Sequence, residues 1–337
     1  MRSGTWSDPA VPRPYPKIEL HVHLEATVGA ARLRSIARRN ETAVPPAAGT
    51  PVASSAAPID FSQFITAWKT ASMALRRERD FREVVVDYAG AAAAQGCVYI
   101  EAIFSASEPV RRGTSWQEVF EGYCGGGEEA RARHGVEVRF TPEITRDFPP
   151  EIGEDLARWA VAYRERGVVG IGLGGSEALF PAELHTRAFA IAREGGLQAA
   201  PHAGEMAGPE SVRAALDVLQ AARLRHGVRA VEDAGLLAEI AARGIVCDVT
   251  PTSNVLLGVV SSLQEHPLPQ LLAAGVMCSI GSDDPALLGT DLALECARAT
   301  RLGHDPRTMY SHALLGAFCD ESLKAHLRQQ AEAYDWV

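Results

Sequence analysis

Histidines and carboxylates in this chain gather in a few short segments. His21 and His23 flank a valine in Glu-Leu-His-Val-His-Leu, and His202 and Glu205 share the segment Pro-His-Ala-Gly-Glu. His226 stands in Leu-Arg-His-Gly, and Asp283 and Asp284 are adjacent in Ser-Asp-Asp-Pro. Imidazole and carboxylate donors suit Zn²⁺, and a site of three protein ligands, or one more, keeps a position open for water. A metal that lowers the pKa of bound water from ~16 to about 7 makes hydroxide available at neutral pH. The chemistry within reach of such a set is hydrolysis. On a strand, His-x-His puts both rings on one face, because side chains alternate with period two. Each piece alone has an ordinary reading. His-x-His occurs by chance, His202 could be a core histidine bonded to backbone, and Asp-Asp-Pro could be a plain turn. Their common feature is position, since each falls at the C-terminal end of a strand-like run.

Those runs are 17–24, 97–104, 136–144, 168–175, 197–204, 223–227, 245–251 and 276–282. Ala-, Arg- and Glu-rich helical segments separate them, at 80–95, 116–133, 154–166, 181–193, 209–222, 231–243 and 266–273. Strands alternating with helices imply a parallel sheet with right-handed crossovers. Eight such units over 337 residues predict an α/β fold closed as a (β/α)8 barrel of the TIM type, whose strand C-termini converge on one mouth. Residues far apart in sequence would meet there.

The first unit carries an insertion. Residues 41–60 are rich in Ala, Pro, Ser and Thr and read as a flexible loop. Residues 61–76 place Phe61, Phe64, Ile65 and Trp68 at helical spacing. This is either a helix packed on the barrel or an apolar lid, because an insertion after the first strand sits at the catalytic face. Residues 1–337 read as a single domain, with 1–15 loosely held.

Composition narrows the partners. The net charge of −9 disfavours nucleic acid and anionic membrane. No apolar run is long enough to span a bilayer. Met1 to Pro16 lacks the apolar core of a signal peptide, so the expected compartment is the cytoplasm. None of the six cysteines forms a Cys-x-x-Cys pair, and they read as small buried hydrophobes in a reducing compartment. A homo-oligomer is compatible with all of this.

Gly170-Ile-Gly-Leu-Gly-Gly175 formally matches the dinucleotide-binding Gly-x-Gly-x-x-Gly, with Glu194 about twenty residues on. That fingerprint needs its acid at the end of the next strand, and Glu194 precedes that strand. The preferred reading is a backbone that closely approaches a flat ligand, which glycine permits. The phosphate-loop, His-Glu-x-x-His and Gly-x-Ser-x-Gly motifs are absent, as is the signature of the cytidine-type zinc deaminases. His134 reads as a helix cap, and His185, His266, His304, His312 and His326 as ordinary exposed or satisfied histidines.

The segments Pro16–Leu24, Pro201–Glu205, His226-Gly227, Pro251-Thr-Ser-Asn254 and Ser282–Pro285 together resemble the ordered motifs of the adenosine deaminase family of the amidohydrolase superfamily. The resemblance implies one Zn²⁺ per chain, held by His21, His23, His202 and Asp283. It implies that Glu205 faces purine N1 and delivers a proton, and that His226 steers or deprotonates the attacking hydroxide. Asp283 counts with Glu205 and His226 as catalytic. Asp284 would contact N7 and the backbone N–H of Gly175 would meet N3. Glu25 would reach toward the ribose 5′ end, and Phe61 and Phe64 would touch substrate.

The sequence also departs from the family. Glu25-Ala26 replaces the usual Asp-Gly, Gly172 and Ser176 replace acids, and Arg225 stands before His226 where glycine is usual. Gly-Leu-Gly-Gly followed by a small residue and Glu177 is similar to the branch acting on 6-aminodeoxyfutalosine, an adenine nucleoside with a 5′ aryl-carboxylate arm. Arg225, Arg111 or Arg112 could answer such a carboxylate, although a plain surface role suits each. The expected activity is hydrolytic deamination of an adenine nucleoside, either adenosine or a 5′-modified relative. Two alternatives stand beside it, a deaminase of free adenine or an N6-substituted purine, and a zinc-binding barrel without catalysis.

Overall fold

Along the first strand, β1 (Lys17–His23), Lys17, Glu19, His21 and His23 share one face and Ile18, Leu20 and Val22 the other, and all seven are buried. A strand buried on both faces belongs in a parallel sheet covered by helices. The computed structural model describes residues 14–45, 47–52 and 59–336 and builds that sheet. The further strands are β2 (Cys97–Ile103), β3 (Glu137–Phe140), β4 (Glu143–Thr145), β5 (Gly170–Gly174), β6 (Gln198–Ala199), β7 (His202–Ala203), β8 (Arg223–His226), β9 (Val246–Val249) and β10 (Met277–Ile280). All the pairings are parallel, in the orders β1-β2-β3, β4-β5-β6 and β7-β8-β9-β10.

β3 and β4 are one barrel strand broken at Thr141-Pro142, and β6 and β7 one broken at Ala200-Pro201. Proline brings no N–H to a ladder, yet its carbonyl still serves. Gly172 N–H donates to Pro142 at 2.9 Å and Arg225 N–H to Pro201 at 3.0 Å. The ring closes where His23 N–H donates to Asp283 O at 2.8 Å and Asp283 N–H to His21 O at 3.0 Å. The result is the expected (β/α)8 barrel, and all eight strand runs of the sequence fall on its strands.

The extra helices after the first strand are α1 (Ala30–Arg39) and α2 (Phe61–Ser72), followed by the crossover helix α3 (Glu78–Ala94). Asp60 starts α2 by accepting from the N–H groups of Ser62 at 2.9 Å and Gln63 at 3.3 Å, satisfying donors with no partner inside the helix. Of the 41–60 loop, residues 46 and 53–58 lie outside the described residues, and no helix or strand forms in the rest. Of residues 1–15, expected to be loosely held, 1–13 also lie outside them. Tyr15 is buried, with its ring 5.9 Å from that of Trp336.

The barrel interior is polar below its mouth. Arg223 bridges Glu101 at 2.7 Å and Asp248 at 2.6 Å, and all three are fully buried. Charges this deep are tolerated because they are paired. The six cysteines are buried and free, as expected.

Candidate active site

Strand ends bring the site together. Nε2 of His202 lies 3.2 Å from Nε2 of His21 and 3.3 Å from Nε2 of His23. Asp283 Oδ1 stands 3.2 Å from His21 Nε2 and 3.4 Å from His23 Nε2. The outer ring nitrogens explain the orientation. His21 Nδ1 faces the carbonyl of Asp248 at 3.2 Å, and His202 Nδ1 faces Glu143 Oε1 at 2.9 Å and the carbonyl of Leu173 at 3.2 Å. Those partners only accept, so each Nδ1 carries the proton and each Nε2 turns a lone pair inward. Two imidazole lone pairs and a carboxylate converging without a donor between them fit a bound cation, and the donor types suit zinc. One ligand atom from each of His21, His23, His202 and Asp283 lies within 4.8 Å of the others, and Glu205, His226 and Asp283 form a second such set.

His226 Nε2 is 3.5 Å from Glu205 Oε1 and 4.0 Å from Asp283 Oδ2. Burial, then the charges of Asp283 and Glu177, push the Glu205 carboxyl well above the ordinary carboxylate range. Burial and then Asp283 do the same to Asp284. Burial alone would also raise Asp283, but His21, His226 and His23 hold it well below that range. Burial draws His23 down to about 3 and takes His202 and His226 in the same direction. Of Asp283, Asp284 and Glu205, the first is therefore held ionised beside two that favour a proton. Such divergence is the pattern of an acid–base centre.

Local backbone aims these groups. His226 and Asp283 have φ of 62° and 60°, a left-handed conformation that costs a non-glycine residue of order 1 kcal/mol. Glu19 accepts from the N–H of Ser282 at 2.9 Å and so fixes the turn before Asp283. The loop bearing Glu205 is clamped by Glu177, whose carboxylate accepts from the N–H groups of Gly204, Glu205, Met206 and Ala207 at 2.7 to 3.1 Å.

The cluster opens into a cleft of about 750 Å³. His23, Glu143, Gly175, His202, Glu205, His226, Asp283 and Asp284 line its floor and wall. Phe61, Phe64, Ile65, Trp68 and Lys69 of α2 line another side, so the inserted helix faces the site.

Some expectations need correction. Glu25 does not line the cleft. Its carboxylate accepts from Ser105 N–H at 2.8 Å and Tyr123 Oη at 3.1 Å, and it is the Ser105 it anchors that reaches the wall. Arg225, Arg111 and Arg112 do not line it either. Arg225 is fully buried against Glu143 and Thr141, Arg111 lies over the Phe148 ring at 4.1 Å, and Arg112 binds Glu108 at 3.1 Å. At two of its positions the glycine run makes room for buried side chains, and one of these, Gly174, also lines the cleft. A Cβ on Gly172 would stand 2.0 Å from Arg225 Nη1, and one on Gly174 would stand 2.2 Å from Glu143 Oε2. Only Gly175, at φ +104°, both lines the cleft and needs a left-handed backbone.

Two residues outside the expected set, Glu143 and Glu177, also shape the site; Glu177 closes the glycine segment and Glu143 is the penultimate residue of the third strand run. His266 is satisfied, as expected, and its partner is Asn254 of the Pro-Thr-Ser-Asn motif at 3.1 Å. His185 and His304 do satisfy backbone carbonyls, and His312 accepts a backbone N–H.

The sequence model described as Adenosine deaminase matches residues 16–334. The chain belongs to the adenosine deaminase family. It is similar to an aminodeoxyfutalosine deaminase from Acidothermus cellulolyticus, 46% identical over 336 residues that cover 98% of this chain and 94% of the relative. An adenine deaminase from Chelativorans sp. is 37% identical over 320 residues, 92% of this chain and 96% of that one. Among solved structures, an amidohydrolase from Burkhoderia ambifaria with bound Zn matches with a TM-score of 0.85 at 26% identity, covering 94% of this chain and 89% of the other. The protein is therefore an adenosine deaminase-like enzyme, a hydrolase of C–N bonds. Its family and a zinc-bound neighbour point to a metal ion, which the His–Asp cluster could hold. Among the described residues no helix is long and apolar enough to cross a membrane.

Proposed function

We propose that the protein removes the 6-amino group of an adenine nucleoside by zinc-dependent hydrolysis, giving the 6-oxopurine nucleoside and ammonia. One observation carries this reading: four inward-facing donors stand beside a buried Glu205–His226 pair in one cleft. His21, His23, His202 and Asp283 would hold one zinc ion. Zinc, when bound, supplies activation of water at neutral pH.

The remaining work falls to the chain's own groups. Glu205, kept protonated by burial, donates to purine N1 as the ring loses aromaticity at C6. Asp284, also favouring its proton, donates to N7. The N–H of Gly175 meets N3, and His226 orients the attacking oxygen. Phe61 and Phe64 cover the base and exclude water. A binding barrel without catalysis would have no use for the Glu205–His226 pair. We read 1–337 as one hydrolase domain working in the cytoplasm.

The nucleoside, and within it a 5′-modified adenosine such as 6-aminodeoxyfutalosine, is favoured because the 46% identical relative bears that substrate in its name. Free adenine is the second reading, because a 37% identical relative is an adenine deaminase. The test is a panel of adenosine, 2′-deoxyadenosine, 5′-substituted adenosines and adenine, followed by the ultraviolet change on ammonia loss and ranked by kcat/KM. A 5′-substituted adenosine should lead. Adenine in first place would replace this reading with the second.

A further inference from the structure

Asn254 closes the Pro-Thr-Ser-Asn motif, and neither the zinc set nor the proton-donating carboxyls use it. It is fully buried, on the short helix Pro251–Leu256. Its side chain sits between two histidines. Asn254 Nδ2 is 3.2 Å from His226 Nδ1, and Asn254 Oδ1 is 3.1 Å from His266 Nε2. On the far side, the backbone N–H of Leu268 donates to His266 Nδ1 at 3.1 Å.

The direction of every bond in this chain follows from its last member. A backbone N–H can only donate, so His266 Nδ1 accepts and the one proton of that neutral ring is on Nε2. That proton needs an acceptor, which makes the atom of Asn254 facing it the amide oxygen. The NH₂ then faces His226, whose Nδ1 must accept. A ring accepting at Nδ1 is not an imidazolium, so His226 is neutral and protonated at Nε2. Thr250 Oγ1, 3.1 Å from the same Nδ1 and 3.3 Å from Asp283 Oδ2, can donate to either and does not alter the result.

We propose that Asn254 and His266 are positioning residues that fix the tautomer of His226, so that its Nε2 presents an N–H to the cleft beside Glu205. In that state His226 steers by donating a hydrogen bond and has no lone pair at Nε2 with which to take a proton. Of the two roles the family resemblance allowed it, steering is the one this chain selects. The inference rests on the proposed function only for the meaning of turnover, since the tautomer is read without substrate.

The zinc-loaded protein, labelled with ¹⁵N in histidine, gives the tautomer from long-range ¹H–¹⁵N correlations. His226 is assigned by its disappearance in His226→Gln. The expected spectrum is a neutral ring with the proton on Nε2. Asn254→Asp offers only acceptors to both rings, so the proton of His226 should move to Nδ1. Turnover, kcat, should then drop roughly 10- to 100-fold, as for partners that orient catalytic histidines, with KM little changed. His266→Gln can still accept from Leu268 and donate to Asn254, and should keep both tautomer and kcat. His266→Leu should lose them. A wild-type His226 protonated at Nδ1 or at both nitrogens overturns the inference whether or not any variant folds. So does an Asn254→Asp protein with unchanged spectrum and kcat. The expected tautomer in a protein inert on every 6-aminopurine would instead overturn the proposed function.

Discussion

Gly172 and Arg225 occupy one space. The glycine's absent Cβ would lie 2.0 Å from the guanidinium Nη1, and that guanidinium pairs with Glu143 behind His202. The missing side chain at 172 is what leaves room for the guanidinium of Arg225.

Gly172→Ala should destabilise the fold by about 1–3 kcal/mol, the usual penalty for overpacking. Arg225→Gly leaves Glu143 without its partner and should cost more by itself, but the double variant should lose less than the sum of the two, because the positions are coupled. Urea unfolding of both single variants and the double variant measures the coupling. Additive effects would separate the two positions.

Glu143→Gln should weaken zinc retention about 10- to 100-fold, since Glu143 holds the proton of His202 on Nδ1 and keeps Nε2 free to bind. Competition against a chelator of known affinity reads this directly. The wild type should carry one zinc per chain by elemental analysis and lose thermal stability when stripped. A fully active metal-free preparation would contradict the ligand set.

Glu205→Gln should fold, retain zinc and lose about 10²- to 10⁴-fold in kcat, because the amide cannot deliver a proton. Circular dichroism, metal content and turnover measured on one preparation distinguish this from misfolding.

Burial lowers His266 from 6.5 to about 4. Its unfolded form therefore binds a proton that its folded form refuses, and the stability it lends above pH 6.5 is lost as pH falls toward about 4. The loss attributable to this ring is of order 3 kcal/mol. Unfolding free energies of wild type and His266→Gln across that window should diverge on acidification. Parallel curves would rule out this ring as the source.

The barrel was legible because short strand-like runs alternate with helical segments, and the cluster was legible because His21, His23, His202, His226 and Asp283 stand at or near the ends of such runs. Residues that act through others left weaker signals. Glu143 follows a proline that splits its strand, so nothing local marks it as the partner of His202. Glu25 keeps the position of a family acid, but its carboxylate is engaged by Ser105 and Tyr123. Gly172 announces close approach without saying what approaches, and here it is the Arg225 guanidinium rather than ligand. The helices Leu292–Arg301, Pro306–Gly316 and Glu321–Ala333 lie beyond the last motif, where no chemistry-bearing segment marks them in the sequence.

His226 and Asp283 keep their backbones left-handed, at φ of 62° and 60°, where glycine would rest more easily. Durability and catalysis thus pull in opposite directions at two points of the rim. A search for heat-tolerant variants that ignored turnover would be drawn to these positions and could harvest a sturdier protein with nothing left to do.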